Sequence, residues 1–430
     1  MKKTIALLSF LLIVAFSFAQ QANKIINATE VLRIESFLAS DEMRGRKTGS
    51  PEIDKAADFI ADEFKSYGLK TFGNLSTFKQ SFTNVRTKFI SAKAVVDTSV
   101  IEENNIIAVT TDSLIKITQN SGFKKVSISN TDNLILKAQE FLSAKTNQVV
   151  LVNNFFVNDF KKLKRLKRDG LKMDYSVIFI LTNNMGEKYD VEIKNMVTTT
   201  NYSNVIGVLP GKKMKDEFVV FSGHYDHLGV GKPSATGDSI YNGANDDAAG
   251  TTAVMMLAKY FSQVKNNERT LVFVAFTAEE IGGYGSSYFS KQLNPDKVVA
   301  MFNIEMIGTT SKWGTNSAYI TGYEKSDMGK ILQANLTGSK FKFEPDPYPK
   351  QNLFYRSDNA TLAALGVPAH TISTAKMEEA PNDEPNYHKQ SDEIGTLDMK
   401  NMAEIIKAIA LSSKTIVSGK DTPTRVEQEK

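Results

Sequence analysis

Apolar and polar positions divide the chain into stretches of different period. Ile53, Ala56, Ala57, Phe59, Ile60 and Phe64 recur at i, i+3, i+4 and i+7, and Gly68 stands where a C-cap would. That spacing predicts an amphipathic helix. From Asn201 the pattern changes to short continuous apolar runs at Glu217–Ser222, Leu271–Phe276, Val298–Ile304 and Val367–Ile372, each bounded by Gly, Pro or polar residues. Helical stretches fall among them at Thr251–Phe261 and Ser326–Leu336, with a closing helix over 401–413. Apolar strands alternating with helices predict an α/β fold, a three-layer α/β/α arrangement around a mostly parallel, mixed central sheet.

Residues 90–200 are less regular. They hold β-like runs (Ile106–Val109, Val149–Val152, Val177–Leu181) and few groups suited to chemistry, so they are expected to form an inserted accessory domain or extension. The predicted organisation places the first part of the main domain at 20–89, its core at 201–415 and a disordered polar tail at 416–430. No internal repeat is visible.

The first nineteen residues stand apart. Lys2 and Lys3 precede an apolar run from Ile5 to Phe18, and Ser17-Phe18-Ala19 offers small residues where a signal peptidase reads. This predicts a signal peptide cleaved after Ala19, export to the periplasm or beyond, and no stable membrane anchor after cleavage. The apolar run is short for a bilayer span, which needs about 20 residues.

Composition narrows the function classes. In 430 residues, 26 Phe and 14 Tyr accompany a formal charge of only +4, which excludes disorder. The balance of 52 basic against 48 acidic residues gives no nucleic-acid signature. The basic run Lys161, Lys162, Lys164, Arg165, Lys167, Arg168 reads as a solvated face over Phe160, Leu163 and Leu166. Nothing bears on oligomeric state. There is no cysteine, so disulfides and thiolate chemistry are excluded, and a metal would have to be held by His, Asp and Glu.

Five segments carry groups suited to chemistry. The first, Gly-His224-Tyr-Asp226-His227, follows the run Glu217–Ser222, which places His224 at a strand's carboxyl end with Asp226 positioned to fix its tautomer. The second, Asn242-Gly-Ala-Asn-Asp246-Asp247-Ala-Ala-Gly250, opens a helix, where paired acids serve equally as caps or as ligands. The third ends the strand at 271–276 on Glu279-Glu280; adjacent like charges there are relieved by a cation or by protonation. The fourth, Asn-Ile-Glu305-Met-Ile-Gly, ends another strand on an acid, and the fifth is Tyr387-His388-Lys-Gln-Ser-Asp392. Together His224, Asp246, Glu280, Glu305 and His388 form a donor set suited to zinc, with one carboxylate able to bridge two ions about 3.5 Å apart. No Gly-x-Ser-x-Gly elbow and no His-Glu-x-x-His helix is present.

In order and spacing across 200–395, these motifs resemble those of the co-catalytic zinc exopeptidases of metallopeptidase family twenty-eight. That family includes leucyl-type bacterial aminopeptidases, with glutamate carboxypeptidase II and glutaminyl cyclase as relatives. Glu42-Met-Arg-Gly-Arg-Lys-Thr-Gly-Ser also looks like the family's opening. The resemblance implies that 201–415 is a zinc peptidase core acting on peptides. His224 and Glu305 would hold one zinc, Glu280 and His388 the other, and Asp246 would bridge them. It further implies Glu279 as general base, Tyr387 as oxyanion stabiliser and Arg356 as a substrate contact. Asp247 would follow a cis peptide bond, and Asp226 and Asp392 would support the two zinc histidines. Glu305 departs from the Asp of most relatives, so two ions are expected and a one-zinc state is the alternative. Asn359 likewise replaces a frequent His. The same site is compatible with carboxypeptidase, dipeptidase or glutaminyl cyclase action, and the scaffold with a catalytically silent binding protein.

Overall fold

The computed structural model describes residues 20–167, 170–378 and 384–428, so the expected signal segment lies outside the described residues. The chain divides into two compact units, one from the chain up to Ser81 together with Tyr202 onward, the other Phe82–Asn201.

In the first unit, helix α1 (Ala28–Leu38) is capped by the Asn27 side chain, which accepts from the Glu30 amide. Helix α2 (Pro51–Ser66) is capped by Ser50, has Pro51 in its first turn, and buries Ile53, Ala56, Ala57, Ile60 and Phe64 as the periodicity predicts. Two long strands, β1 (Lys79–Val96) and β2 (Tyr189–Leu209), carry the chain out of this unit and back. The core then alternates: β3 (Met214–His224), α3 (Ala249–Val264), β4 (Arg269–Phe276), α4 (Tyr284–Ser290), β5 (Val298–Ile304). There follow β6 (Ser317–Ile320), α5 (Met328–Asn335), β7 (Lys342–Pro345), β8 (Ala369–Ser373) and α6 (Met399–Ser412).

The sheet order is β7-β6-β8-β5-β3-β4-β2-β1. Strands β4, β3, β5 and β8 are parallel, whereas β2 and β6 run antiparallel to their neighbours β4 and β8. Both sheet faces are covered, which explains why the central strands are apolar throughout rather than alternating. On one face Val219, Phe221, Phe273 and Phe302 pack with residues of α1, α2, α3 and α6. On the other, Val220, Val274 and Met301 pack with Phe289 of α4 and with Leu362 and Ala363. The result is the mixed three-layer α/β/α fold.

Residues 418–428, expected to be disordered, are held instead. Val426 is buried in the second face's cluster, Arg269 donates to Thr422 Oγ1 (2.6 Å), and Arg425 donates to Val298 O (2.8 Å). Buried apolar surface and satisfied carbonyls outweigh the polar composition that suggested disorder.

The second unit contains a sheet of strands Ile106–Val109, Val177–Leu181, Gln148–Val152 and Lys124–Ile128, in that order. Helix Leu134–Ser143 and the helical turn Phe160–Leu166 contribute Leu134, Ala138, Phe160 and Leu163 to the cluster on one face. Phe160 and Leu163 are buried in that turn, leaving its basic side chains outward.

Candidate metal centre

Parallel strands bring their carboxyl ends to one edge, and register decides which residues meet there. His224 pairs with Phe276, and Ser222 with Asn303, so β3, β4 and β5 finish together. His224, the Glu279-Glu280 pair and Glu305 therefore emerge side by side. Left-handed backbone at Ala278 (φ 62°) and Met306 (φ 52°) turns the chain sharply beside Glu279 and Glu305. The loop before α3 supplies Asp246. Gly250 lets that helix reach the sheet, since a Cβ there would lie 2.1 Å from Ile304 O and 2.3 Å from Asp247 Oδ2.

Asp246 lies at the middle of the cluster. Its Oδ1 is 3.2 Å from His224 Nε2 and its Oδ2 is 3.2 Å from His388 Nε2. His388 Nε2 also lies 3.3 Å from Glu280 Oε2. Donor atoms of His224, Asp246 and Glu305 fall within 4.8 Å of one another, as do those of His227, Asp246 and Glu280. The Tyr387 ring stacks on His388 with centroids 4.0 Å apart. Tyr387, Arg356 and Glu305 line an adjoining pocket, together with Met306, Leu353 and Met377.

The charges are finely divided. Burial opposes ionisation of Asp246, but His224 and His388 outweigh it and hold the carboxyl below its ordinary range. Burial likewise opposes ionisation of Glu280, which the His227 and His388 rings hold down at about 2. Burial pushes Glu305 up to about 7, and drives Glu279 and Asp247 well above the usual carboxylate range. So many acids share one dry cluster that a divalent cation is the natural means of ionising them together. The orphaned atoms agree. Among the described residues, His224 Nε2, both ring nitrogens of His227, and Glu280 Oε1 are buried without a well-aligned hydrogen bond, His224 and His227 meeting Asp246 and Glu280 only as close charge contacts; a buried group left unsatisfied costs about 1–3 kcal/mol. The residues fit a metal.

Three supporting residues behave as follows. The Asp246–Asp247 peptide is cis, and the Asp247 carboxylate accepts from the amides of His224, Gly250 and Met306 at 2.9–3.1 Å. Asp226 was expected to fix His224 through its carboxylate. Its Oδ1 lies 3.8 Å from His224 Nδ1, with its backbone carbonyl nearer at 3.1 Å, and the carboxylate also accepts from Thr48 (2.8 Å) and from the Glu279 amide (3.1 Å). Asp392 was expected beside His388. It accepts instead from the Asn245 and Asp246 amides at 2.8 and 3.0 Å, because the turn after His388 brings it under the Asp246 loop.

Two residues escaped the sequence reading. His227 is 1% exposed, with Nδ1 2.6 Å from Glu280 Oε1; the signal available was that it is one of only four histidines and adjoins Asp226. Arg46 is fully buried and donates to the carbonyls of Leu38, Tyr225, Asn242 and Gly243 at 2.5–2.8 Å. Nothing in its local sequence foretells that clamp.

Residues 204–412 match the model of peptidase family M28. Aminopeptidase YwaD of Bacillus subtilis is 29% identical over 237 residues, covering 54% of this chain and 48% of that protein. A probable zinc metalloprotease of Pyricularia oryzae is 35% identical over 111 residues, 25% of this chain and 22% of that protein. The chain thus spans less than half the length of these curated relatives. The aminopeptidase from Aneurinibacillus sp. strain AM-1 shares the fold, with a TM-score of 0.55 at 19% identity over 96% of this chain and 98% of that one.

Proposed function

We propose that the chain is a zinc-dependent exopeptidase that removes N-terminal residues from peptides, exported by the leader pattern at 1–19. The observation that carries the reading is the Asp246 carboxylate, which presents one oxygen to His224 and the other to His388. A carboxylate so placed would bridge two ions, one held with His224 and Glu305, the other with Glu280 and His388. The named relatives, a zinc metalloprotease and an aminopeptidase, support the choice of metal and of reaction.

When bound, the zinc ions supply a water acidified toward neutrality and a Lewis acid for the scissile carbonyl. Glu279, held in a dry site beside His224 and Glu305, takes the proton of the attacking water on its carboxylate and returns it to the leaving amine. The Tyr387 hydroxyl, kept protonated by burial and the neighbouring acids, donates to the developing oxyanion. Arg356, on the pocket rim, contacts the substrate. Glu279→Ala is expected to keep its zinc and lose about 10²–10⁴-fold in kcat on an aminoacyl chromogenic substrate. Undiminished turnover would remove Glu279 as the base. A panel including peptides blocked at either end and N-terminal glutaminyl peptides separates aminopeptidase action from carboxypeptidase and cyclase action.

A further inference from the structure

We propose that His227 is a ligand of the second cation, so that this site has four protein donors, Asp246, Glu280, His388 and His227, while the first has three, His224, Asp246 and Glu305. The inference rests on the two-metal reading above and goes beyond it by making the two sites unequal.

The fold itself shows how a structural histidine is treated. Buried His370 has both ring nitrogens matched, Nδ1 to Thr321 O at 2.8 Å and Nε2 to Ser326 Oγ at 2.7 Å. His227 is equally buried, yet among the described residues its Nε2 has no partner and its Nδ1 makes no well-aligned hydrogen bond. Its Nδ1 lies 2.6 Å from Glu280 Oε1, a close charge contact that is not aligned as a hydrogen bond. A buried imidazole left in this state is costly unless a third party joins the two groups. His227, Asp246 and Glu280 bring their donor atoms within 4.8 Å of one another, and His388 approaches the same two carboxylates.

The backbone around His227 is built to keep the ring there. Its amide donates to Arg46 O (3.2 Å), while the Arg46 guanidinium grips Tyr225 O and Gly243 O, in the loops that precede His227 and Asp246. Gly243 adopts φ +58°, and a Cβ at that position would fall 2.4 Å from the His227 ring. Four donors make a closed, strongly retained site, whereas three leave a position for water or substrate.

Metal analysis of purified protein dialysed against graded chelator tests this directly. Wild type is expected to lose one ion readily and retain the other. His227→Asn and His227→Ala should hold the retained ion at least about a hundredfold more weakly, beyond the usual effect of altering a ligand's support, and keep the other unchanged. The cobalt-substituted variants should lose one of two visible absorption components. Melting of the metal-free His227→Asn protein should match metal-free wild type, separating ligand loss from misfolding. Unchanged retention of both ions in a variant, or simultaneous loss of both, would overturn the proposal. Wild-type protein that binds no metal would overturn it together with the underlying reading, and is seen before any substitution is made.

Discussion

His370 and Glu305 illustrate how burial decides the protonation of single residues in this molecule. Burial of His370 depresses its pKa to about 4, below the ordinary value of 6.5. The unfolded chain therefore binds a proton on this residue between pH 6.5 and 4 that the folded chain refuses. Stability contributed here is intact above pH 6.5 and is lost as pH falls through that window, by an amount of about 3 kcal/mol in all. Chemical denaturation at pH 7 and pH 4.5 should show wild type losing more stability than His370→Asn. Equal losses would assign the acid sensitivity to other groups. Glu305, pushed up to about 7 by burial, shows the opposite logic of a carboxyl that a cation would release to ionise.

At the scale of elements, the edge that carries the donor cluster is made by strand ends and held from beneath by backbone hydrogen bonds. Asp226 fastens the turn after β4, Asp247 fastens β3 to β5, and Asp392 fastens the loop before α3. Arg46 ties the segment after α1 to two of these loops through four carbonyls. Arg46→Ala would leave several buried carbonyls unmatched, so a loss of at least about 3 kcal/mol is expected by denaturant titration. The sequence made the strands, their parallel order and the donors at their ends legible because a doubly covered sheet demands continuous apolar runs, and because acids at such ends need a reason. It could not show what lies behind the donors. The roles of Asp226 and Asp392 depend on which amide their carboxylates meet, and Arg46 and His227 depend on loops converging from distant parts of the chain. The order of residues 418–428 was likewise hidden, since one apolar side chain, Val426, fixes a polar stretch.

On the scale of the whole molecule, the acids of the centre link metal to stability. A bound ion satisfies buried groups that otherwise oppose one another, so chelation is expected to lower the melting temperature and zinc to restore it. At a thousandfold excess over Kd the linkage is about 4 kcal/mol. An unchanged melting temperature would mean that the cluster tolerates its own charge. The second unit begins and ends at neighbouring points of the first: Ile206 donates to Phe78 O at 2.8 Å, and the Ser81 and Ser203 hydroxyls are 3.0 Å apart. Replacing 82–201 by a short Asn-Gly turn should leave the first unit folded and able to take up metal, as judged by cooperative melting and zinc content.

The anchored carboxyl-terminal stretch has a practical corollary for anyone shortening this polypeptide. Cutting after Val417 to obtain a tidier crystallisation sample would strip acceptors from the Arg269 guanidinium, which reaches Asp421 O and Thr422 Oγ1, and would bare the groove filled by Val426. Such a trimmed preparation should aggregate sooner than the parent on warming.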